Sequence, residues 1–180
     1  GGEKGGTGKT TLATNLAAMR VGRGRDVLLV DTDKQESANY WAFTRRESVS
    51  PSRQVNASLQ LGGSILRVAR DPAKTYEDII VDAGGRNSSE LRATMTIAQK
   101  LFIPIQPSQF DIWTLERMDS LVKMARAVNP GLKAWVVINR ASTHPAASEA
   151  YEAIRVLREY PHLEFSGIVI YDRVAYRRAA

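Results

Sequence analysis

The chain has 180 residues, with 25 Lys and Arg against 19 Asp and Glu, a formal charge of +6 and a pI near 9.8. At about 100–200 residues per domain this is the length of one domain, and a hydrophobic share of 43% with a mean hydropathy of −0.27 suits a folded, water-soluble protein. The absence of Cys excludes a disulfide framework, a Cys-ligated zinc or iron–sulfur site and a thiol nucleophile, and no apolar run approaches the ~20 residues of a membrane-spanning helix, so a cytoplasmic protein is expected.

Residues 2–11 read GEKGGTGKTT, and Gly8-Lys9-Thr10 at the head of a helical pattern matches the end of GxxxxGK[ST]. Glu3 stands where the strict pattern has its first glycine. Glycines let backbone N–H groups converge on phosphate oxygens, because no Cβ intervenes and φ can turn positive. Lys9 then supplies charge to β- and γ-phosphates, and the Thr10 hydroxyl can ligate Mg²⁺. Gly5, Gly6, Thr7, Gly8, Lys9, Thr10 and Thr11 are thus the candidate nucleotide-binding residues. A Gly-rich surface turn before a helix is the competing reading. The helix is expected over 9–22, with Leu12, Leu16 and Met19 on one face at helical spacing and Ala13 and Ala17 beside them. Because such a loop links a strand end to a helix N-terminus, a short strand is expected ahead of Gly1.

Next, a continuous apolar strand over 26–31 ends in Asp31-Thr32-Asp33-Lys34-Gln35. Apolar strands with carboxylates at their C-terminal ends suit a parallel sheet covered on both faces, with a ligand site at its carboxyl edge. Asp31 can alternatively cap the helix expected over 35–46. A Ser/Pro/Arg-rich loop over 47–56, expected to be mobile, leads to a strand at 57–61 and a helix at 63–74. The strand at 79–82, Ile-Ile-Val-Asp, forms a Walker B element whose Asp82 would hold Mg²⁺ directly or through water. Gly84-Gly85 after it gives a switch loop the freedom to bring an N–H to a γ-phosphate in one state and withdraw it in another. Ser88 or Ser89 would cap a helix at 88–99.

A strand at 101–105 and Asp111 as N-cap precede a helix at 111–128 whose buried stripe runs through Ile112, Leu115, Met118, Val122 and Ala125. A strand at 134–139 ends in Asn139-Arg140, and a helix at 146–159, a strand at 166–170 and a basic end carrying Arg173, Arg177 and Arg178 close the chain. Since a strand ending at Ile170 ordinarily leads into a longer helix, the sequence is expected to be trimmed there as well. Repeated βα units give the fold class: α/β, a P-loop NTPase in one domain over 1–180, with a doubly wound, mostly parallel sheet and helices on both faces.

The string KGGTGKT resembles the deviant Walker A motif of the ParA/MinD family of ATPases, closest to the small plasmid-partition ParA proteins. The resemblance implies that Lys4 is a signature lysine reaching the partner's phosphates across an ATP-bound homodimer, so that Lys4, Lys9 and Asp33 are the catalytic residues. A cation delivered in this way offsets charge on the transferred phosphoryl group. Asp31-Thr32-Asp33-Lys34-Gln35 resembles the family's DxDPQ signature, with Lys34 in place of proline. By that likeness Asp33 orients the attacking water, and Asp31 joins Thr10 and Asp82 around Mg²⁺. Asn139 would contact adenine. Pro104-Ile105-Gln106-Pro107-Ser108, with Asp111, resembles the segment lining the dimer face.

The function so implied is a slow, partner-stimulated ATPase that partitions or positions DNA or other cargo. Its ATP-bound dimer would hold DNA without sequence preference through Arg173, Arg177 and Arg178, sit on the nucleoid and respond to a ParB-like partner, with no membrane involved. A MinD-like membrane-cycling ATPase would need a C-terminal amphipathic helix that YDRVAYRRAA does not supply. An ATP-dependent metabolic ligase of the same fold would need a substrate-binding insert, and none is evident.

Overall fold

The computed structural model describes residues 6–68, 75–84, 88–107, 114–144 and 148–173. The chain divides into two compact units, one of Lys9–Ile97 and one of Gly1–Gly8 with Ala98–Ala180.

The first unit runs α1 (Lys9–Val21), β1 (Val27–Asp31), α2 (Ser37–Ser48), β2 (Asn56–Leu59), α3 (Ile65–Val68), β3 (Asp78–Asp82) and α4 (Ser89–Met95). Its strands lie in the order β2-β1-β3, all parallel, with Asp31 in register with Asp82. Alternate residues of β1 serve opposite faces, as the pleat requires. Val27 and Leu29 pack with Ala13, Ala17 and Val21 of α1 and Ala38 of α2, while Leu28 and Val30 pack with Ile65 of α3 and Ala93 of α4. The run Val27–Val30 is apolar throughout because both faces are covered. Leu29 and Val30, fully buried, contribute about 1.5–3 kcal/mol each.

Helix α1 packs on the sheet through its small residues. Its buried residues are Ala13, Thr14, Ala17 and Val21, whereas Met19 is exposed and Leu12 and Leu16 are half-buried. Small side chains let the helix backbone approach the sheet closely, so the alanine face wins over the leucine face. The C-terminal end of α1 is tied to the start of β3: Arg20 donates to both carboxylate oxygens of Asp78, at 2.7 and 3.1 Å. Hydrogen bonds from Arg20 and Arg25 hold the Asp78 carboxyl below its ordinary pKa. The 47–56 stretch expected to be a loop holds the end of α2, a 3₁₀ turn at Pro51–Arg53 and the fully buried Val55.

The second unit contains β4 (Lys100–Ile105), α5 (Leu115–Val128), β5 (Lys133–Ala141), α6 (Glu149–Leu157) and β6 (Glu164–Tyr171). The order is β4-β5-β6, again all parallel, and α6 packs on β5 and β6. Phe102 and Trp135, in register on adjacent strands, bring their rings within 5.5 Å. The buried stripe of α5 is Leu115, Leu121, Val122 and Ala125; Ile112 and the capping Asp111 lie outside the described residues. The fold class is thus the expected one, parallel strands flanked by helices. Among the described residues no helix is long and apolar enough to cross a membrane.

Candidate functional site

In an open α/β sheet, ligands bind at the carboxyl edge where helices following adjacent strands leave to opposite faces. In the first unit that place lies between β1 and β3. The helix after β1 packs on the face of Leu29 and the helix after β3 on the face of Val30. Asp31 and Asp82 end those two strands side by side.

Asp82 is 4% exposed. Burial is the largest influence on its carboxyl and pushes the pKa up to about 6, with the negative charges of Asp31 and Asp33 acting in the same direction. A hydrogen bond with Thr10, on the first turn of α1, and the positive charge of Lys9 oppose that rise. A buried carboxylate beside a hydroxyl and a lysine is a pair of hard oxygen donors, which suits Mg²⁺. No group of three or more His, Cys, Asp or Glu among the described residues could hold a metal ion. A cation bound there would therefore draw on water and phosphate, as Mg²⁺ commonly does.

The Asp31 carboxylate is fully buried and saturated with backbone amides. Oδ1 accepts from Asp33 N at 2.9 Å, and Oδ2 from Ala38 N at 2.9 Å and Asn39 N at 3.0 Å. It thereby meets two of the unpaired amides that open α2, whose N-cap residue Glu36 makes no side-chain cap and has φ of 52°. The capping reading of Asp31 thus describes contacts the residue makes. Lys34 occupies the second position of a turn closed by Glu36 N donating to Asp33 O at 3.0 Å, the position that favours proline. Half-exposed Asp33 accepts from Gln35 N at 3.0 Å.

Thr32, between the two aspartates, was not singled out by sequence. Its buried hydroxyl donates to Asp82 O at 3.0 Å and accepts from Gly84 N at 3.0 Å. The Gly84 amide, expected to serve a γ-phosphate, is here held by Thr32, and Gly85 lies outside the described residues. A Cβ at Gly84 would press on Thr32 O at 3.2 Å and Asp33 Cα at 3.3 Å, so a larger residue would have to push that backbone aside by a few tenths of an ångström. Thr32→Val keeps the shape but leaves the buried Gly84 amide unpaired, while Asp82 O retains the Thr32 N–H at 3.1 Å. It is expected to cost about 1–3 kcal/mol in urea denaturation, with Thr32→Ser retaining most of the stability.

In the second unit, the loop residues Gly6 and Thr7 are held by their carbonyls. Gln106, just past β4, donates from Nε2 to Gly6 O at 2.8 Å, and Asn139, in β5, donates from Nδ2 to Thr7 O at 2.7 Å. Gly8 has φ of 86°, and a Cβ there would run into Asn139 Nδ2. Arg140, which follows Asn139, adopts φ of 55° and brings Nη1 to 3.9 Å from where a Gly6 Cβ would sit. Positive φ is uncommon for a residue other than glycine. It falls where the pairing of β5 with β6 shifts register between Ile138 and Ala141.

Thr11 lies on the first turn of α1, its carbonyl accepting from Asn15 Nδ2 at 2.8 Å. Arg173 is exposed just beyond β6. Lys4, Gly5, Arg177 and Arg178 lie outside the described residues.

The whole chain, residues 1–180, matches the family described as the CobQ/CobB/MinD/ParA nucleotide binding domain. It is 34% identical to the maintenance of carboxysome distribution protein A of Gloeobacter kilaueensis, over 87% of this chain and 68% of that one. It is 28% identical to the protein of the same name from Halothiobacillus neapolitanus, over 98% of this chain and 79% of that one. Among solved structures, the ATP complex of a McdA variant from Cyanothece shares the fold with a TM-score of 0.77 at 18% identity, covering 98% of this chain and 83% of that one. The aspartates at the switch point, the glycine loop and the match along the whole chain agree: this chain belongs to the CobQ/CobB/MinD/ParA nucleotide-binding domain family.

Proposed function

We propose that the chain is an ATP-dependent dimerising switch that positions cargo and whose ATP-bound form holds DNA without sequence preference. The observation that carries the nucleotide part is the buried Asp82 carboxylate at the sheet's switch point, in register with the buried Asp31 of the next strand. Thr10 and Asp82 would hold the Mg²⁺ that accompanies ATP, which shields phosphate charge. Asp31 supports them by fixing the Asp33 loop and the start of α2. Lys9 neutralises the β- and γ-phosphates, the amides of Gly5 to Thr11 surround them, and Asn139 serves the same nucleotide. Asp33 aligns the attacking water, and Lys4 of a second copy adds its charge to the phosphates, which makes hydrolysis depend on pairing. A positioning role is supported by relatives named for carboxysome distribution. Arg173, Arg177 and Arg178 are the cations proposed to meet DNA phosphates, and a partner protein would stimulate hydrolysis and release.

The test is a gel shift on random-sequence DNA with ATP, ADP or no nucleotide at two salt concentrations. Binding that requires ATP and weakens steeply with salt is expected, as counterion release dictates. Glu at Arg173, Arg177 and Arg178 together should weaken it while sparing ATP affinity. DNA binding indifferent to nucleotide would remove the switch from this reading, and no binding in any state would remove DNA.

A further inference from the structure

Gln106 and Asn139 stand at or near the carboxyl ends of the adjacent strands β4 and β5, and each gives an amide N–H to a successive carbonyl of the glycine loop. In a trans peptide the C=O and the N–H that follows it point to opposite sides. Drawing the Gly6 and Thr7 carbonyls toward the strand ends therefore turns the N–H groups of Thr7 and Gly8 away from them. Successive amides facing one way make an anion-binding concavity. Asn139 comes close enough to do this because residue 8 is glycine: a Cβ there would occupy the place of Nδ2, and φ of 86° is one that side chains resist.

We propose that Gln106 and Asn139 are positioning residues that hold the loop amides in the phosphate-binding orientation before nucleotide arrives. This rests on the nucleotide-site reading above, and it gives Asn139 a task directed at the triphosphate in place of the base. Two amides suit the task because they are uncharged donors. A lysine at either place would add charge of its own, and a carboxylate would set an acceptor against the carbonyl.

The experiment measures the affinity of MgATP and of inorganic tripolyphosphate, each by competition with a fluorescent ATP analogue. The proteins compared are wild type, Asn139→Leu, Gln106→Met, Asn139→Asp and Lys9→Ala, with thermal melts to verify folding. Asn139→Leu and Gln106→Met should each weaken ATP and tripolyphosphate by the same factor, about tenfold for one lost hydrogen bond. Asn139→Asp should weaken both further. Asn139→Leu that weakens ATP but leaves tripolyphosphate unchanged would assign Asn139 to the base and overturn the proposal. Unchanged affinities in both Asn139→Leu and Gln106→Met would also overturn it, while loss of binding in Lys9→Ala shows that the nucleotide site itself stands. Wild-type affinity in Lys9→Ala would instead sink the site reading, and the proposal with it.

Discussion

Replacing Lys9 by alanine is expected to weaken ATP binding roughly a hundredfold, the equivalent of about 2.7 kcal/mol and typical of a hydrogen bond to a charged group. Lys9 opens α1, where the helix N-terminus already favours an anion. Its charge is felt at the site even without nucleotide, since it draws the Asp82 carboxyl down against the effect of burial. The variant should therefore bind ATP poorly in titration calorimetry yet unfold normally, because Lys9 is only partly buried at the site's edge. It should also raise the Asp82 pKa further, which makes the lysine and the aspartate a coupled pair. Unchanged affinity for ATP would refute the phosphate-loop assignment.

Asp82→Asn is expected to make the nucleotide-free protein more stable at neutral pH while removing the Mg²⁺ dependence of ATP binding. The carboxyl titrates near 6 in the folded protein, against an ordinary value of 3.8. The folded state therefore binds the proton more tightly, and stability is full below about pH 4 and lost as pH rises through 6. That rise corresponds to about 3 kcal/mol at pH 7. Asparagine carries no charge to desolvate, so the variant should gain about 2–3 kcal/mol at pH 7.5. The gain should shrink to nothing near pH 4, where wild-type Asp82 is protonated folded or unfolded. Urea denaturation at the two pH values measures it; an equal effect at both would mean that the charge of Asp82 is not the source. Such a trade of stability for a charged site is common where a protein binds a cation.

The parts of the fold written in local patterns were legible in the sequence. The apolar run before Asp31, the Ile-Ile-Val-Asp strand and the helix after Gly8 all appear within two residues of their expected limits, because each pattern is set by neighbours in the chain. Periodicity puts Leu12, Leu16 and Met19 on one apolar face of α1 but does not say that close packing on the sheet buries Ala13 and Ala17 most deeply. The dual character of Asp31 was legible as a choice, and two of its three amide contacts, Ala38 and Asn39, seat it on the start of α2. What the sequence concealed are the polar links between distant segments. Thr32 meets Gly84 across two strands, and Gln106 meets Gly6 across a hundred positions. A threonine between two aspartates and a glutamine before a proline carry no local mark of such partners.

ATP, and not ADP, is expected to switch the chain between two association states. Sedimentation velocity of the protein with Mg²⁺ and ATP, with Mg²⁺ and ADP, and with Mg²⁺ alone tests it directly, using Asp33→Ala to prevent turnover. A dimer only in the ATP sample, persisting in Asp33→Ala and lost in Lys9→Ala, is the predicted result. The same association state in all three samples would contradict it.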